Sequence, residues 1–272
     1  MRRSGNKEGA EMLGFMKAVA REAGRTAMTY FEGMRSNEVH AKGSPKDLVS
    51  AADVAVEQLI VKRIRERFPG HGIFGEESGI SNSGSEFCWI IDPIDGTQSF
   101  VKHHPFFAVS IAFCEGRKPL AGVVYAPALN DLFAAEAGKG AVWNDEPIHA
   151  SRCSELGEAA CATGFACVRA GRKVNNLAYF SRIVPQLRDI KRSGSAALDL
   201  AMTGAGVYDA YWEMALQPYD VAAGALIAEE AGALVRDLHG GFHYPEQGII
   251  AANPALLVKL LGFFRDLPEL SC

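Results

Sequence analysis

The chain has 272 residues, 48% hydrophobic and 22% charged, which fits a soluble globular protein long enough for one large domain or two modest ones. A net charge of −4 gives no clustered basic face of the kind nucleic acid requires, so none is expected as a partner. No apolar run approaches the roughly 20 residues of a membrane span, and the basic start Met1-Arg2-Arg3 has no apolar segment behind it. The expectation is no signal peptide, no membrane partner and a cytoplasmic location.

In chain order, Met12, Leu13, Phe15, Met16, Val19, Ala20, Ala23, Ala27 and Tyr30 recur at helical spacing and predict an amphipathic helix over about 8–32. Lys42-Gly43-Ser44-Pro45-Lys46 reads as a loop. A second helix is predicted over 50–68, with Val54, Leu59, Ile60 and Ile64 on its buried face and Pro69-Gly70 as its stop. Strands follow at 87–91, 106–114 and 120–125, the last two joined by a hairpin through Glu115-Gly116-Arg117-Lys118, then at 132–135 and 141–143.

Beyond about 151–158 the pattern changes. Helices are predicted near 175–184, 196–202, 221–231 and 254–264, with a strand near 207–212. The first half therefore reads as α+β with an antiparallel sheet (1–147) and the second as α/β (148–272). The cysteines at 88, 114, 153, 161, 167 and 272 form no C-x-x-C pair. They predict reduced thiols rather than a zinc site.

The chemistry is concentrated in acidic segments. In Trp89-Ile90-Ile91-Asp92-Pro93-Ile94-Asp95-Gly96-Thr97 an apolar strand delivers Asp92. Pro93 cannot donate to a sheet ladder, which predicts that the strand stops there. Asp92 and Asp95 can then converge across a turn, the Ile94 carbonyl is freed to point the same way, and Gly96 permits close backbone approach. Thr97 is placed to open a helix, whose free N–H groups favour a phosphate. Oxygen ligands in this arrangement suit a hard cation such as magnesium. Taken alone, a D-x-x-D segment is more often just an Asp-rich turn. Gly75-Glu76-Glu77-Ser78 brings two adjacent carboxylates whose repulsion a cation would relieve, though a solvent-exposed loop has the same pattern. Trp212-Glu213 and Gln217-Pro218-Tyr219-Asp220 form the third element, where Asp220 is alternatively a helix N-cap.

These segments together resemble the inositol monophosphatase family of lithium-sensitive, metal-dependent phosphatases. The likeness rests on 89–97 with Phe100 and Lys102, on Tyr219-Asp220-Val221-Ala222-Ala223-Gly224 through Gly232-Ala233, on Gly75-Glu76-Glu77-Ser78, and on Lys42 through Asp47, in the family's order over about 10–265. The resemblance implies a layered αβαβα sandwich of the inositol monophosphatase and fructose-1,6-bisphosphatase type, and a homodimer. It implies one magnesium ion on Glu76, Asp92 and the Ile94 carbonyl, a second on Asp92, Asp95 and Asp220, and a weaker third shared by Glu76 and waters. It assigns Asp53 and Thr97 to a hydrogen-bonded pair acting on the attacking water, and Lys42 to a loop over the metals. Gly96 and Thr97 would donate to the phosphate. Glu213 and the turn Gly194-Ser195-Ala196 would meet the hydroxyls of a small phosphorylated polyol or sugar, inositol monophosphate first.

The chain departs from the family pattern at Tyr219, where Trp is usual, at Gln98-Ser99, where Thr-Asn is common, and at His103-His104, where His-Gly is common. None of these removes a metal ligand, but all bear on the substrate rim. Sister specificities remain as alternatives: fructose 1,6-bisphosphate, histidinol phosphate, NADP or 3′-phosphoadenosine phosphate. So does a role as an interaction partner of proteins or the RNA machinery, with the apolar helix 256–264 as an interface.

Overall fold

The computed structural model describes residues 2–33 and 45–270, with side chains described for 11–33 and 50–270. Lys42 and most of its predicted loop lie outside the described residues. Two long helices open the chain, α1 (Arg2–Gly33) and α2 (Pro45–Arg67). The second begins at Pro45, inside the predicted loop, because proline at a first helical position forfeits only an N–H that has no partner there.

The first sheet has eight strands: β1 (Gly72–Gly75), β2 (Gly79–Ser81), β3 (Phe87–Asp95), β4 (Ala108–Glu115), β5 (Lys118–Ala126), β6 (Asp131–Glu136), β7 (Ala141–Trp143) and β8 (Glu146–Pro147), with the short helix α3 (Thr97–Val101) between β3 and β4. Its spatial order is β2-β1-β3-β4-β5-β6-β7-β8, antiparallel throughout except for the parallel pair β1–β3. The predicted hairpin is present, with Glu115 opposite Lys118.

The second sheet is built from β9 (Ala160–Thr163), β10 (Asp189–Lys191), β11 (Ala210–Glu213), β12 (Leu234–Arg236) and β13 (Ile249–Ala252), in the order β10-β9-β11-β13-β12. Between and after these strands come α4 (Ala166–Arg169), α5 (Leu177–Ile183), α6 (Ala196–Gly204), α7 (Pro218–Glu230) and α8 (Pro254–Leu261).

Strand alternation sorts the core into slabs. Trp89, Ile91, Val109, Ile111, Val123 and Leu132 face α1 and α2, packing on Met16, Ala20, Val56 and Ile60. Their alternating neighbours Ala112, Val124 and Phe133 face the other way, onto Leu198 and Ala201 of α6 and Ala223 and Ile227 of α7. The same middle slab takes in Ala162, Tyr211 and Ala251 from the second sheet. Cys161, Trp212 and Ile250 point outward from that sheet onto Tyr179 of α5 and Leu256 of α8. The order is thus helix pair, sheet, helix pair, sheet, helix pair, the layered αβαβα sandwich. Because both faces of both sheets are covered, the strands read as apolar runs. The α6–α7 layer buries side chains against both sheets, so the two halves share one slab of core.

Three expectations are corrected. β3 does not stop at Pro93 but continues to Asp95, with a register break between Asp92 opposite Ser110 and Asp95 opposite Ala108. A bulge absorbs the missing proline donor and bends the strand, so it is retained rather than ended. On α2, Val54 faces solvent at 36% exposure, whereas Ala52, Val56, Ile60 and Ile64 are buried together with Asp53 and Glu57. The strand expected near 207–212 runs over Ala210–Glu213. Its start is delayed because Asp209 turns its carboxylate to the Ser151 hydroxyl and to the Ala160 N–H, 2.7 Å away, at the head of β9.

Candidate active site

The bulge in β3 aims its acids at one place. Asp92 Oδ1 accepts from the Ile94 N–H at 3.0 Å, which curls the chain so that Asp95 follows on the same side. Gly96 has φ of +96°, and a Cβ there would lie 2.9 Å from the Phe106 carbonyl, so only glycine passes. Thr97 then opens α3 as expected, with its Oγ1 donating to the Ile94 carbonyl at 3.4 Å. α7 brings in Asp220 from the far half. Asp220 is not the N-cap: it sits one turn in, and its Oδ2 accepts from the N–H of Gln217, the capping residue, at 2.6 Å.

Carboxylate oxygens of Asp92, Asp95 and Asp220 lie within 4.8 Å of one another. Around them is a pocket of about 280 Å³ whose wall includes Glu76, Ile94, Gly96, Thr97, Gly194, Ala196 and Glu213. Burial first, then the fields of Asp95, Glu76 and Asp220, hold the Asp92 carboxyl well above the ordinary range. Burial and the Asp95 charge do the same to Asp220. Burial lifts Asp95 to about 7 against the opposing pull of hydrogen bonds from Ser195 and Ala197. Glu76 is exposed at the mouth, and its smaller upward push comes from partial burial and the charges of Glu77 and Glu57. Such mutual repulsion among oxygen donors fits a hard divalent cation.

Three predicted site residues stand differently from expectation. Ser195 is fully buried behind Asp95: its Oγ donates to Asp95 Oδ2 at 2.6 Å, beside the Ala197 N–H at 2.7 Å. It positions a carboxylate, while Gly194 and Ala196 on either side form pocket wall. Asp53 and Thr97 are not hydrogen-bonded to each other, since Thr97 turns to Ile94 and the buried Asp53 Oδ1 has no partner. Burial, reinforced by Glu76, Glu77 and Glu57, lifts the Asp53 carboxyl to about 8.

The profile of the inositol monophosphatase family matches residues 8–268. The chain belongs to the inositol monophosphatase family. It is 39% identical over 258 residues to the Nus factor SuhB of Escherichia coli K12, covering 94% of this chain and 96% of that one. Among solved structures it superposes on the inositol monophosphatase of Anabaena (Nostoc) with a TM-score of 0.85 and 35% identity, over 96% of this chain and 98% of that chain. On the extragenic suppressor protein suhB of Bartonella henselae the TM-score is 0.84 with 34% identity, over 95% and 100% of the two chains. The family is one of metal-dependent phosphatases, and the aspartate cluster is a carboxylate set able to hold metal.

Inositol monophosphatase motifs did not point to four further residues. Glu57, buried at 2% exposure, accepts from the Glu77 and Ser78 N–H groups at 2.9 and 2.8 Å and so shapes the loop carrying Glu76. Its signal was its place four residues after Asp53 on one helix face. Tyr211, buried in the middle slab, donates its hydroxyl to Glu213 Oε2 at 2.7 Å, while Ala166 N–H holds Oε1 at 3.0 Å. Arg169 and Arg192 line the pocket beyond Glu213 and pull its carboxyl down against the stronger upward push of burial. Nothing local in sequence marks either arginine. His103 and His104 do not line the pocket, and His103 packs on Phe31.

Proposed function

We propose that this protein is a magnesium-dependent phosphomonoesterase that hydrolyses inositol monophosphate to inositol and phosphate. The observation that carries the reading is the convergence of Asp92, Asp95 and Asp220 within 4.8 Å at the floor of a pocket walled by Glu213, in a chain of this family. Glu76, Asp92, the Ile94 carbonyl, Asp95 and Asp220 would hold two magnesium ions, with a weaker third beside Glu76. Bound magnesium supplies Lewis-acid polarisation of the phosphoryl group and a lowered pKa for water.

The protein groups do the rest. Gly96 and Thr97, at the start of α3 where N–H groups lack helical partners, donate to the phosphate oxygens. Asp53, buried with Oδ1 unpartnered, would take a proton from the attacking water alongside Thr97 Oγ1. Gly194, Ala196 and Glu213 receive the polyol hydroxyls, Glu213 as an acceptor fixed by Ala166 and Tyr211. A homodimer, a cytoplasmic location and lithium inhibition go with this reading.

The test is phosphate release with magnesium from inositol 1-phosphate, fructose 1,6-bisphosphate, histidinol phosphate, 3′-phosphoadenosine phosphate and NADP. Preference for inositol 1-phosphate is expected, and preference for another ester transfers the same centre to a sister specificity. A second reading, favoured by the relatives named Nus factor, is action through a binding partner. Asp95→Asn, expected to remove hydrolysis while the chain still folds, separates the two: a cellular phenotype restored by that variant would favour the partner role.

A further inference from the structure

A second cleft, of about 650 Å³, lies next to the catalytic pocket and shares Leu216 with it as a wall. It is assembled from the immediate chain neighbours of the site acids. Phe74 stands two residues before Glu76, Met214 follows Glu213, and Pro218 stands two before Asp220. Val174 and Lys173 close the outer side. The lining is mainly apolar, with Arg172, Lys173 and Glu246 as its charged side chains; Glu246 is paired with Arg117, and Lys173 makes no ion pair among the described residues. Behind Phe74 stands Tyr219, packed edge-on with ring centroids 5.7 Å apart. This is the position where the chain departs from the family's usual tryptophan, so the departure backs one wall residue of the cleft without lining the cleft itself.

Volume and lining together bear on what the cleft can take. The catalytic pocket, at about 280 Å³, sits at the lower edge of ordinary ligand sites, whereas the neighbouring cleft falls well inside their range of roughly 300–1,000 Å³. On the phosphatase reading, a phosphorylated polyol would occupy the first. A larger alcohol has to extend past Leu216, onto apolar walls and toward the Lys173 ammonium.

We propose that this cleft is a leaving-group subsite, and that the enzyme accepts phosphate monoesters whose alcohol extends, beyond the ring that bears the phosphate, into an apolar arm ending in an anionic group. The proposal rests on the phosphatase reading above and extends its substrate class. The arm is desolvated against Phe74, Val174, Met214 and Pro218, and its anion meets Lys173 at the open side.

The experiment compares phenyl phosphate with N-acetyl-O-phosphotyrosine. The two share one aryl leaving-group chemistry and differ in the extension and its carboxylate. Inositol 1-phosphate serves as the compact control. In the wild-type protein the extended ester should show a KM about tenfold below that of phenyl phosphate. Lys173→Glu and, separately, Val174→Trp should erase that difference while leaving kcat/KM for phenyl phosphate and inositol 1-phosphate within about twofold. Unchanged turnover of these two esters also shows that each variant folds.

Equal KM values for the two aryl esters in the wild-type protein, or a difference that survives both substitutions, would overturn the subsite while hydrolysis of the compact esters stands. A change in oligomeric mass on Val174→Trp with no change in the aryl KM difference would overturn it too, assigning the face to a second copy of the chain. Absence of phosphate release from every ester fails the underlying reading instead, and the proposal falls with it.

Discussion

Glu213 reaches the pocket wall because its neighbours leave room for it and hold it. Gly164 is the room: a Cβ there would lie 2.0 Å from Glu213 Oε2. Tyr211 and the Ala166 N–H are the hold. Tyr211→Phe keeps the buried ring and removes one hydrogen bond to a carboxylate, a contact of about 1.5–3 kcal/mol. We expect it to raise KM for inositol 1-phosphate about five- to tenfold while leaving an aryl phosphate without hydroxyls nearly untouched. Glu213→Gln should show the same asymmetry more strongly, and equal losses on both substrates would remove Glu213 as the hydroxyl reader. A second residue-scale effect lies far from the site. His71 Nδ1 accepts from the Trp89 indole N–H at 3.1 Å, and the imidazole stacks on Phe68 and Phe113. Burial first and Arg65 second push its pKa below the ordinary value of 6.5. On acidification the unfolded chain therefore takes up this proton before the folded one, so stability is full above about pH 6.5 and declines below it. Thermal melts from pH 7 to pH 5 should fall less steeply in His71→Phe than in the wild type, and parallel slopes would exclude His71 as the cause.

Helix α2 shows how an element can be read correctly and still conceal its purpose. Its buried stripe is Asp53, Val56, Glu57, Ile60 and Ile64, two acids set among aliphatic residues at one-turn spacing. A search for apolar periodicity discards the acids and admits Val54 in their place. What keeps Glu57 inside is remote in sequence: the N–H groups of Glu77 and Ser78, at 2.9 and 2.8 Å. Glu57→Gln retains the shape but weakens one of these bonds. We expect a loss of about 1 kcal/mol in urea unfolding and a rise in the magnesium concentration for half-maximal activity, since the loop it fixes carries Glu76. No change in either would reduce Glu57 to a bystander. The same logic divides what the sequence made legible from what it did not. Asp92, Asp95 and Asp220 announce themselves in local motifs, and the strands from β3 to β7 show continuous apolar or β-branched runs. The continuation of β3 through Pro93 depends on its pairing with β4, which no window around Pro93 contains. β12 and β13 are three and four residues long and gain their order from neighbouring strands rather than from their own pattern. Tyr211 and Arg192 belong to the site only through the packing of the second sheet against α6 and α7.

At the scale of the whole molecule, the site is a charge problem that the fold creates and leaves open. α2, the turn after β1, β3 (twice), β11 and α7 deliver carboxylates, so Asp53, Glu76, Asp92, Glu213, Asp95 and Asp220 gather where the helical layers meet the ends of the two sheets. Burial raises every one of these carboxyls, and repulsion from neighbouring acids adds to it for all but Glu213. The metal-free protein therefore carries a strain that the unfolded chain, with its acids dispersed in water, does not. A divalent cation that binds only the folded form relieves it, and at a hundredfold excess over its dissociation constant it adds about 2.7 kcal/mol. For a domain of this size that corresponds to a rise in Tm of roughly 5–10 °C. Magnesium added to chelator-treated protein should produce such a rise. Asp95→Asn should behave differently in both arms. Its amide oxygen still accepts from the Ser195 hydroxyl and the Ala197 N–H, while one of the repelling charges is gone. The metal-free variant should then melt at or above the metal-free wild type, and magnesium should raise its Tm by much less. A variant that melts below the metal-free wild type, yet keeps the full magnesium shift, would mean that Asp95 serves the packing of α6 rather than the cation.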